Sequence, residues 1–177
     1  MTFARAPDVG HANIAPVTPK DVTVRVAGPK DLEAIATLRG LWDDAADHPG
    51  DARGFAERFA QWLATEGDRR TIWLAAIDGE EVGMASLFEY RRMPRPGRLD
   101  SRWGYVGNMF VRPERRNGGI GSALLAAITS EADARGYVRL VLSPTARAIP
   151  LYHRAGFVPA GGQDGELLLA RPAPPAH

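Results

Sequence analysis

The stretch from Tyr105 to Ala126, YVGNMFVRPERRNGGIGSALLA, determines how the rest of the chain is interpreted. Its first part, residues 105–111, is apolar and rich in β-prone side chains, so it predicts a short strand. A polar turn follows, and the glycines at 118, 119 and 121 then lead into a helix. This order of elements forms an anion site, because glycines let a ligand approach the backbone and the N–H groups of a first helical turn are unpaired.

Three arginines, Arg112, Arg115 and Arg116, add positive charge to the turn. The turn is not a P-loop, because no Gly-Lys-Ser or Gly-Lys-Thr occurs in the chain. It is not a dinucleotide fingerprint either, because the third glycine after Gly119 and Gly121 is missing. Taken alone, a glycine-rich turn that only connects strand to helix remains the alternative.

A second segment, Leu140 to Val158, repeats the order of strand, turn and helix. The apolar residues 138–142 predict a strand, and Gly156 is placed to end the helix that follows. Together the Arg116-x-x-Gly119-x-Gly121 turn and the A-x-x-L-Y-x-x-x-G-F run at 148–157 resemble the GNAT superfamily of acyl-CoA-dependent N-acyltransferases. The resemblance extends more weakly over residues 22–170.

This resemblance implies an α/β fold with a mixed, mostly antiparallel sheet of about seven strands and helices on both faces. The central strands, 105–111 and 138–142, are expected to run parallel and to splay apart at the cofactor. Other predicted strands are 22–26, 71–77, 81–90, 157–159 and 166–170, with helices from 28–31 onward, at 51–65 and at 121–135.

The resemblance also implies acetyl-CoA (coenzyme A) as cosubstrate and no metal. The pyrophosphate is expected on the glycine-rich turn, and the pantetheine arm is expected to add beside the central strand. Thr145 stands where the family often has Asn, so a hydroxyl would replace an amide there. The expected cofactor-binding residues are Met109, Phe110, Val111, Arg116, Asn117, Gly118, Gly119, Ile120, Gly121, Ser122, Thr145 and Tyr152.

The implied reaction transfers acetyl to a primary amine of a small molecule or peptide. With no cysteine in the chain, a cysteinyl acyl-enzyme cannot form, and direct transfer in a ternary complex is expected. Tyr152 is the expected acid for the leaving thiolate, because the family's tyrosine lies near the sulfur. The alternative for Tyr152 is packing at the end of the sheet.

The attacking amine must also lose a proton, because an amine with a pKa near 10 is mostly protonated at pH 7. Glu89, at the end of a predicted strand, is the favoured base, and a carboxylate bonded only to the structure is its alternative. Asn108 can orient water or the amine but cannot be a base. Asp100 and His153 are further candidates, although His153 points roughly 100° away from Tyr152, toward solvent.

Two polar stretches are candidates for acceptor contacts. Residues 42–50 predict a charged loop, in which Asp43, Asp44 and Asp47 either hold a cationic amine or are simply solvated. Residues 91–102 contain five arginines with two prolines and predict a long basic loop. That loop either meets an acidic substrate or the coenzyme phosphates, or is a solvated excursion.

Composition sets the outer limits. The 177 residues suit one domain, predicted at 21–171, with a disordered or loosely docked tail at 1–20 and a flexible tail at 172–177. A net charge of +1 gives no reason to expect nucleic-acid or membrane binding. No run approaches the roughly 20 apolar residues of a membrane helix. Without a hydrophobic signal core, the chain is expected to be cytoplasmic.

Two alternative functions stay open at this point. One is a coenzyme A-binding sensor without turnover, and another is an O-acetyltransferase that uses the same cofactor site. The four histidines have no metal-ligand spacing. The oligomeric state is also open, and a homodimer is compatible with the resemblance because family members often dimerise.

Overall fold

A computed structural model describes residues 21–45, 54–97, 101–160 and 168–173. Asp47 and Asp100, as well as the N-terminal tail at 1–20, lie outside the described residues, and so do the side chains of Asp43 and Asp44. The predicted roles of these aspartates and the division into one domain with two tails therefore stay predictions.

The chain forms a seven-stranded sheet with the order β1-β2-β3-β4-β5-β7-β6. Neighbouring strands are antiparallel except for β4 and β5, which are parallel. This confirms the predicted mixed, mostly antiparallel sheet. The strands are β1 (Thr23–Val26), β2 (Arg70–Ile77), β3 (Glu80–Arg91), β4 (Arg102–Val111), β5 (Arg139–Leu142), β6 (Val158–Pro159) and β7 (Leu169–Pro172).

Four α-helices cover the two faces of the sheet, as α1 (Leu32–Ala45), α2 (Phe55–Glu66), α3 (Ile120–Ala134) and α4 (Ile149–Arg154). Alternation along β2 shows the two faces, because successive side chains of a strand point to opposite sides. Trp73 and Ala75 pack with α3, whereas Ile72 and Leu74 pack with α1. None of the helices in the described ranges is long and apolar enough to cross a membrane.

The turn into α1 is fixed by Asp31, the predicted cap or first-turn acid. Asp31 lies in a short 3₁₀ turn, Pro29–Asp31, and its Oδ2 accepts the N–H of Gly28 at 2.7 Å. The Arg25 guanidinium donates to both carboxylate oxygens, at 2.7 and 2.9 Å. Hydrogen bonds from Arg25 and from Gly28 lower the pKa of Asp31 to about 2.

Several boundaries differ from the sequence predictions, including the start of β4, which lies at Arg102 rather than at Tyr105. Residues 42–45 are the last turn of α1 rather than a loop, because Trp42 continues the apolar stripe of Ile35 and Leu38 and stacks on Phe110 at 5.9 Å. The last strand also lies later than predicted, because its pairing with β5 sets Leu169 opposite Leu142.

A β-bulge interrupts β4, and no local pattern in the sequence predicts it. Met84 pairs with Phe110 but Ser86 pairs with Gly107, so two residues of β4 oppose one residue of β3. The bulge contains Asn108, which has a left-handed φ of 50°. Without it, Val106 and Phe110 would share a face, but they belong to the cores on opposite faces.

The central strands separate just where β4 reaches this bulge. β4 and β5 pair only through Gly104 with Leu140 and Tyr105 with Val141, within the described residues. A Cβ at Gly104 would come within 2.5 Å of the Leu87 side chain, so glycine is required where β4 packs against the core on the α3 face of the sheet. Beyond Tyr105, β4 continues to Val111 paired with β3 but not with β5, which leaves a gap on the β5 side.

Candidate active site

The gap between β4 and β5 is a cavity of about 1140 Å³. Its wall includes every predicted cofactor-binding residue except Gly118, which lies in the same turn but not on the wall. These wall residues are Met109, Phe110, Val111, Arg116, Asn117, Gly119, Ile120, Gly121, Ser122, Thr145 and Tyr152. The fold therefore brings the segment 109–122 to the same cavity as Thr145 and Tyr152, although most of α3 and all of β5 lie between them in the sequence.

The start of α3 presents free backbone donors to this cavity. Gly119 is the N-cap residue, with a φ of 84° and no side-chain cap. The first helical bond recorded here joins the N–H of Ala123 to the carbonyl of Gly119 at 2.9 Å, so the N–H groups before it have no helical partner. Unpaired donors at the positive end of a helix dipole suit a phosphate.

Gly121 has a different role from Gly119. A Cβ at Gly121 would come within 3.2 Å of the Leu151 side chain, so this glycine lets α3 pack closely against α4. Its φ is not in the left-handed region, unlike that of Gly119. In the G-x-G pattern, Gly119 therefore supplies a left-handed backbone conformation, and Gly121 allows the close packing of α3 against α4.

The arginines of the turn are not equivalent, although the sequence predicts the same role for all three. Arg112 forms an ion pair with Glu80 at 2.7 Å and is not on the cavity wall. Arg115 is on the wall and lies 3.7 Å from Glu80. Arg116 is also on the wall, where its Nε donates to the carbonyl of Val111 at 3.0 Å. Only Arg115 and Arg116 therefore add their charge to the cavity.

Two further arginines line the same end of the cavity and were missed by the sequence reasoning. Arg147 and Arg154 are both exposed on the wall. Neither forms an ion pair with a residue that the structure describes. The two arginines could have been identified from the sequence, because they flank the A-x-x-L-Y motif, but the motif was interpreted from its apolar residues. The cavity end near α3 and α4 is therefore strongly positive.

Asn108 and Ser86 hold the bulge in place. Asn108 Nδ2 donates to Ser86 Oγ at 3.1 Å, and Ser86 Oγ donates to the carbonyl of Gly107 at 3.1 Å. Asn108 and Met109 have no residue paired with them on β3 in the recorded register. The bulge therefore interrupts the regular pairing of β4 with β3 at these two residues.

Tyr152 lies where the bulge, α4 and the cavity meet. Its side chain is 7% exposed, and its hydroxyl donates to Met109 Sδ at 3.5 Å. Its ring packs edge-on against Phe157, at 5.8 Å between ring centroids. Burial raises the pKa of Tyr152, and the nearby Tyr105 adds to this shift. Tyr152 therefore stays protonated to higher pH than an ordinary tyrosine.

Glu89 is placed on the other face of the sheet, which argues against its predicted role as the base. It is 2% exposed and is absent from the cavity wall. Its carboxylate accepts from Tyr137 at 2.7 Å, from Arg135 at 2.7 Å and from Arg91 at 2.6 Å. Burial raises the pKa of Glu89, but the bonds from Arg91 and Tyr137 outweigh this effect and leave it below its ordinary value.

This arrangement matches the alternative raised for Glu89, a carboxylate bonded to the structure. It links β3 to the C-terminal end of α3. His153 is exposed and is also absent from the cavity wall.

The other end of the cavity is formed by β2, β3, β4 and α2. Glu66, Arg70, Phe88, Tyr90 and Tyr105 line it. Among the described residues, Glu66 is the one carboxylate on the whole wall. The sequence reasoning missed this set, because its members come from four elements and share no local motif.

Tyr105 connects the two ends of the cavity. A Cβ at Gly107 would come within 3.3 Å of Tyr105 Cε1, so the Tyr105 ring lies across the space that Gly107 leaves open. Its proximity to Tyr152 places two phenol groups near the bulge. This contact could have been predicted from the sequence, because Tyr105 and Gly107 are two residues apart on one strand and therefore share a face.

A second cavity, of about 340 Å³, lies between α1, α2 and the sheet. Its wall includes Arg39, Arg58 and Trp62. Two residues, Arg70 and Asn108, line both cavities and therefore mark the boundary between them. Within the described ranges, no group of three His, Cys, Asp or Glu side chains could hold a metal ion.

Comparisons with known proteins agree with this geometry. Residues 35–157 match the acetyltransferase (GNAT) family. One relative is the aminoglycoside N(6')-acetyltransferase type 1 of Stenotrophomonas maltophilia, 36% identical over 107 residues, which cover 60% of this chain. The match spans 64% of that relative's own length. Another is the glucosamine 6-phosphate N-acetyltransferase of Trypanosoma brucei brucei, 29% identical over 77% of this chain and 89% of the relative.

The fold is also shared with solved structures. An acetyltransferase from Clostridium acetobutylicum, crystallised with acetyl-CoA, superposes with a TM-score of 0.64. It is 20% identical and covers 81% of this chain and 92% of its own. The match of residues 35–157 covers more than half of the chain, and the sheet with its splayed central strands agrees with it. The chain belongs to the acetyltransferase (GNAT) family.

Proposed function

We propose that the chain transfers acetyl from acetyl-CoA directly to a primary amine of a small molecule, in a ternary complex. The observation that carries this proposal is one continuous cavity, which joins the free N–H groups of α3 to the bulge of β4 and to Tyr152. A donor and an acceptor can enter such a cavity from opposite ends. The absence of cysteine leaves no cysteinyl intermediate for the transfer.

The coenzyme would bind at the positive end. Its pyrophosphate would accept hydrogen bonds from the first turn of α3, with Arg115 and Arg116 beside it. Arg147 and Arg154 are placed for its remaining phosphate. Its pantetheine arm would lie along Met109 to Val111, where β4 is not paired with β5.

The bulge would polarise the thioester. The bulge interrupts the regular pairing with β3 at Asn108 and Met109, and one of their backbone N–H groups would donate to the carbonyl oxygen. As the amine nitrogen bonds to the carbonyl carbon, negative charge develops on that oxygen. A donor fixed at this position typically contributes about 10²-fold or more to the rate.

Tyr152 would then protonate the leaving group. When the carbon–sulfur bond breaks, the electron pair leaves on sulfur, and the Tyr152 hydroxyl gives its proton to the thiolate. The raised pKa of Tyr152 keeps that proton available at neutral pH. Its hydroxyl already contacts the sulfur of Met109, on the strand where the thioester is expected.

Water would remove the proton of the amine. Glu89 is bonded to three side chains on the opposite face, and we assign it to the structure rather than to the chemistry. Asn108 lines both cavities and can orient a water or the amine. The relatives' names support an amine acceptor, because both are N-acetyltransferases that act on small molecules.

A coenzyme A-release assay with a panel of amines tests this proposal. We expect release that depends on both acetyl-CoA and an amine, with the acetyl group found on nitrogen by mass spectrometry. Acetyl-CoA binding without transfer to any amine would favour the sensor. An acetyl group found on oxygen would favour the O-acetyltransferase.

A further inference from the structure

Arg70 is the first residue of β2 and lies at the boundary of the two cavities. Its guanidinium stacks between two aromatic rings, 4.8 Å from the centroid of Trp62 and 4.7 Å from that of Phe88. Its side chain is 16% exposed. The packing therefore holds the positive charge of Arg70 in a fixed position, where it is surrounded by little water.

The charge of Arg70 is poorly compensated within the protein. Its ion pair with Glu66 is long, at 3.7 Å, and the same carboxylate is shared with Arg69 at 3.9 Å. Its Nε is buried without a hydrogen-bond acceptor among the described residues. Burial lowers the pKa of Arg70, and the opposing effect of Glu66 does not cancel it. A partly buried cation of this kind is stabilised by an anion in the cavity.

We propose that the acceptor amine also carries an anionic group, a phosphate or a carboxylate, which pairs with the guanidinium of Arg70. This inference rests on the proposed function and deepens it by naming the class of acceptor. Guanidinium groups bind both kinds of anion through charge-assisted hydrogen bonds.

The sheet sets the separation between the two ends of such an acceptor. Arg70 pairs with Phe88, and Phe88 pairs with Tyr105, so Arg70 lies two strands from β4. At the usual strand spacing this is about 10 Å, and Asn108 lies three residues further along β4. This is the separation of the backbones, and the Arg70 side chain extends from β2 to the cavity wall, which shortens the distance that an acceptor must span between the bulge and the guanidinium. A molecule with its anionic group remote from its amine, such as a phosphorylated amino sugar or an ω-amino acid, suits such a site.

The aromatic side chains between these points suit the body of that acceptor. Phe88, Tyr90 and Tyr105 line the cavity between Arg70 and the bulge. They offer apolar faces and no acidic group. A polycationic acceptor would find a single described carboxylate, Glu66, which is already shared by two arginines.

Paired acceptors test the proposal with the full chain. One arm compares kcat/KM for glucosamine 6-phosphate with that for glucosamine, and the other compares 4-aminobutanoate with 4-aminobutanamide. We expect the wild type to prefer the anionic member of at least one pair by about tenfold or more, which is typical of a charge-assisted bond. The arm that shows the preference identifies phosphate or carboxylate as the anion.

Arg70→Gln should remove that preference and leave the affinity for acetyl-CoA unchanged. Arg69→Gln is the matched control, because Arg69 is the neighbouring residue, shares Glu66, lies over Phe88 at 5.4 Å and is not on either cavity wall. It should keep the preference of the wild type. No preference in either arm, or a preference that survives Arg70→Gln, would overturn the proposal.

A binding measurement separates this proposal from the proposed function. Calorimetry with the coenzyme A complex should show that the anionic compound binds to the wild type and to Arg69→Gln but at least about tenfold more weakly to Arg70→Gln. Arg70-dependent binding without turnover would leave the anion site standing and contradict the transferase. Turnover of neutral and anionic amines alike would do the reverse.

Discussion

The two ends of the cavity are built from different materials. The donor end relies mainly on backbone, namely the first turn of α3, the bulge of β4 and the part of β4 that is not paired with β5, with the arginine side chains beside it. The acceptor end uses side chains, including Arg70, Phe88 and Tyr105, from separate strands. A site made of backbone groups depends on the conformation of the chain and suits the cofactor, which every reaction of this kind shares. Side chains can change without disturbing the sheet, and so they suit an acceptor that differs between proteins. The cofactor should therefore depend on conformation, and the acceptor on side-chain identity.

The largest effect is expected at the donor end. Gly119→Glu should abolish acetyl-CoA binding, with a loss of at least about 100-fold in affinity, because a carboxylate would occupy the phosphate position and the left-handed φ of 84° would be strained. Calorimetric titration with acetyl-CoA measures this loss.

Gly136→Glu is the control for strain alone. Gly136 follows α3 at its other end and has a left-handed φ of 68°. This variant should lose a similar amount of stability but keep acetyl-CoA affinity. If Gly119→Glu binds as well as this control does, the α3 turn is only a connector.

Local sequence predicted the donor end because each of its requirements is local. The φ of Gly119 and the order of strand, turn and helix are set within a few residues. Individual strands also followed from hydrophobic alternation, since β2 begins one residue earlier than predicted and β3 extends one residue further at each end. The helical end of α1 was missed, because the contact of Trp42 with Phe110 is made only in the folded sheet.

Long-range register explains the remaining errors. The bulge at Asn108 is visible only when β3 is aligned with β4. Arg70 reaches the cavity only because β2, β3 and β4 lie side by side. The placement of Glu89 could have been anticipated, since it shares a strand face with Leu87 in the α3 core rather than with Phe88 on the cavity.

A smaller effect than that of Gly119→Glu is expected where the two ends meet. Tyr152→Phe should lower kcat by about 10²-fold, the usual contribution of a general acid, and change acetyl-CoA affinity little. Because burial raises the pKa of Tyr152, the loss of wild-type activity with rising pH should begin above the ordinary value of 10.0, and this limb should be absent in the variant.

Tyr137→Phe is the matched control for removing a buried phenol. The Tyr137 hydroxyl donates to Glu89 at 2.7 Å, on the face away from the cavity. This variant should lower stability while kcat stays close to that of the wild type. Equal kcat values for the two variants would assign Tyr152 to packing.

The smallest effect on activity is expected at Glu89, which distinguishes a buried carboxylate from a base. Glu89→Gln should leave kcat nearly unchanged but lower the free energy of unfolding by about 2 kcal/mol, because three hydrogen-bonded donors lose a charged partner. Glu80→Gln, which removes a half-exposed partner of Arg112, should cost less than about 0.5 kcal/mol. Chemical denaturation gives both values.

The pH dependence of this difference follows from the lowered pKa of Glu89. A group whose pKa falls on folding stabilises the protein fully above its ordinary value, here 4.5, and loses that contribution as pH falls through the lower folded value. The stability gap between wild type and Glu89→Gln should therefore be constant near neutrality and shrink in acid below pH 4.5. A gap that persists in acid would mean that the charge of Glu89 does not stabilise the fold, whereas a large drop in kcat would return Glu89 to the chemistry.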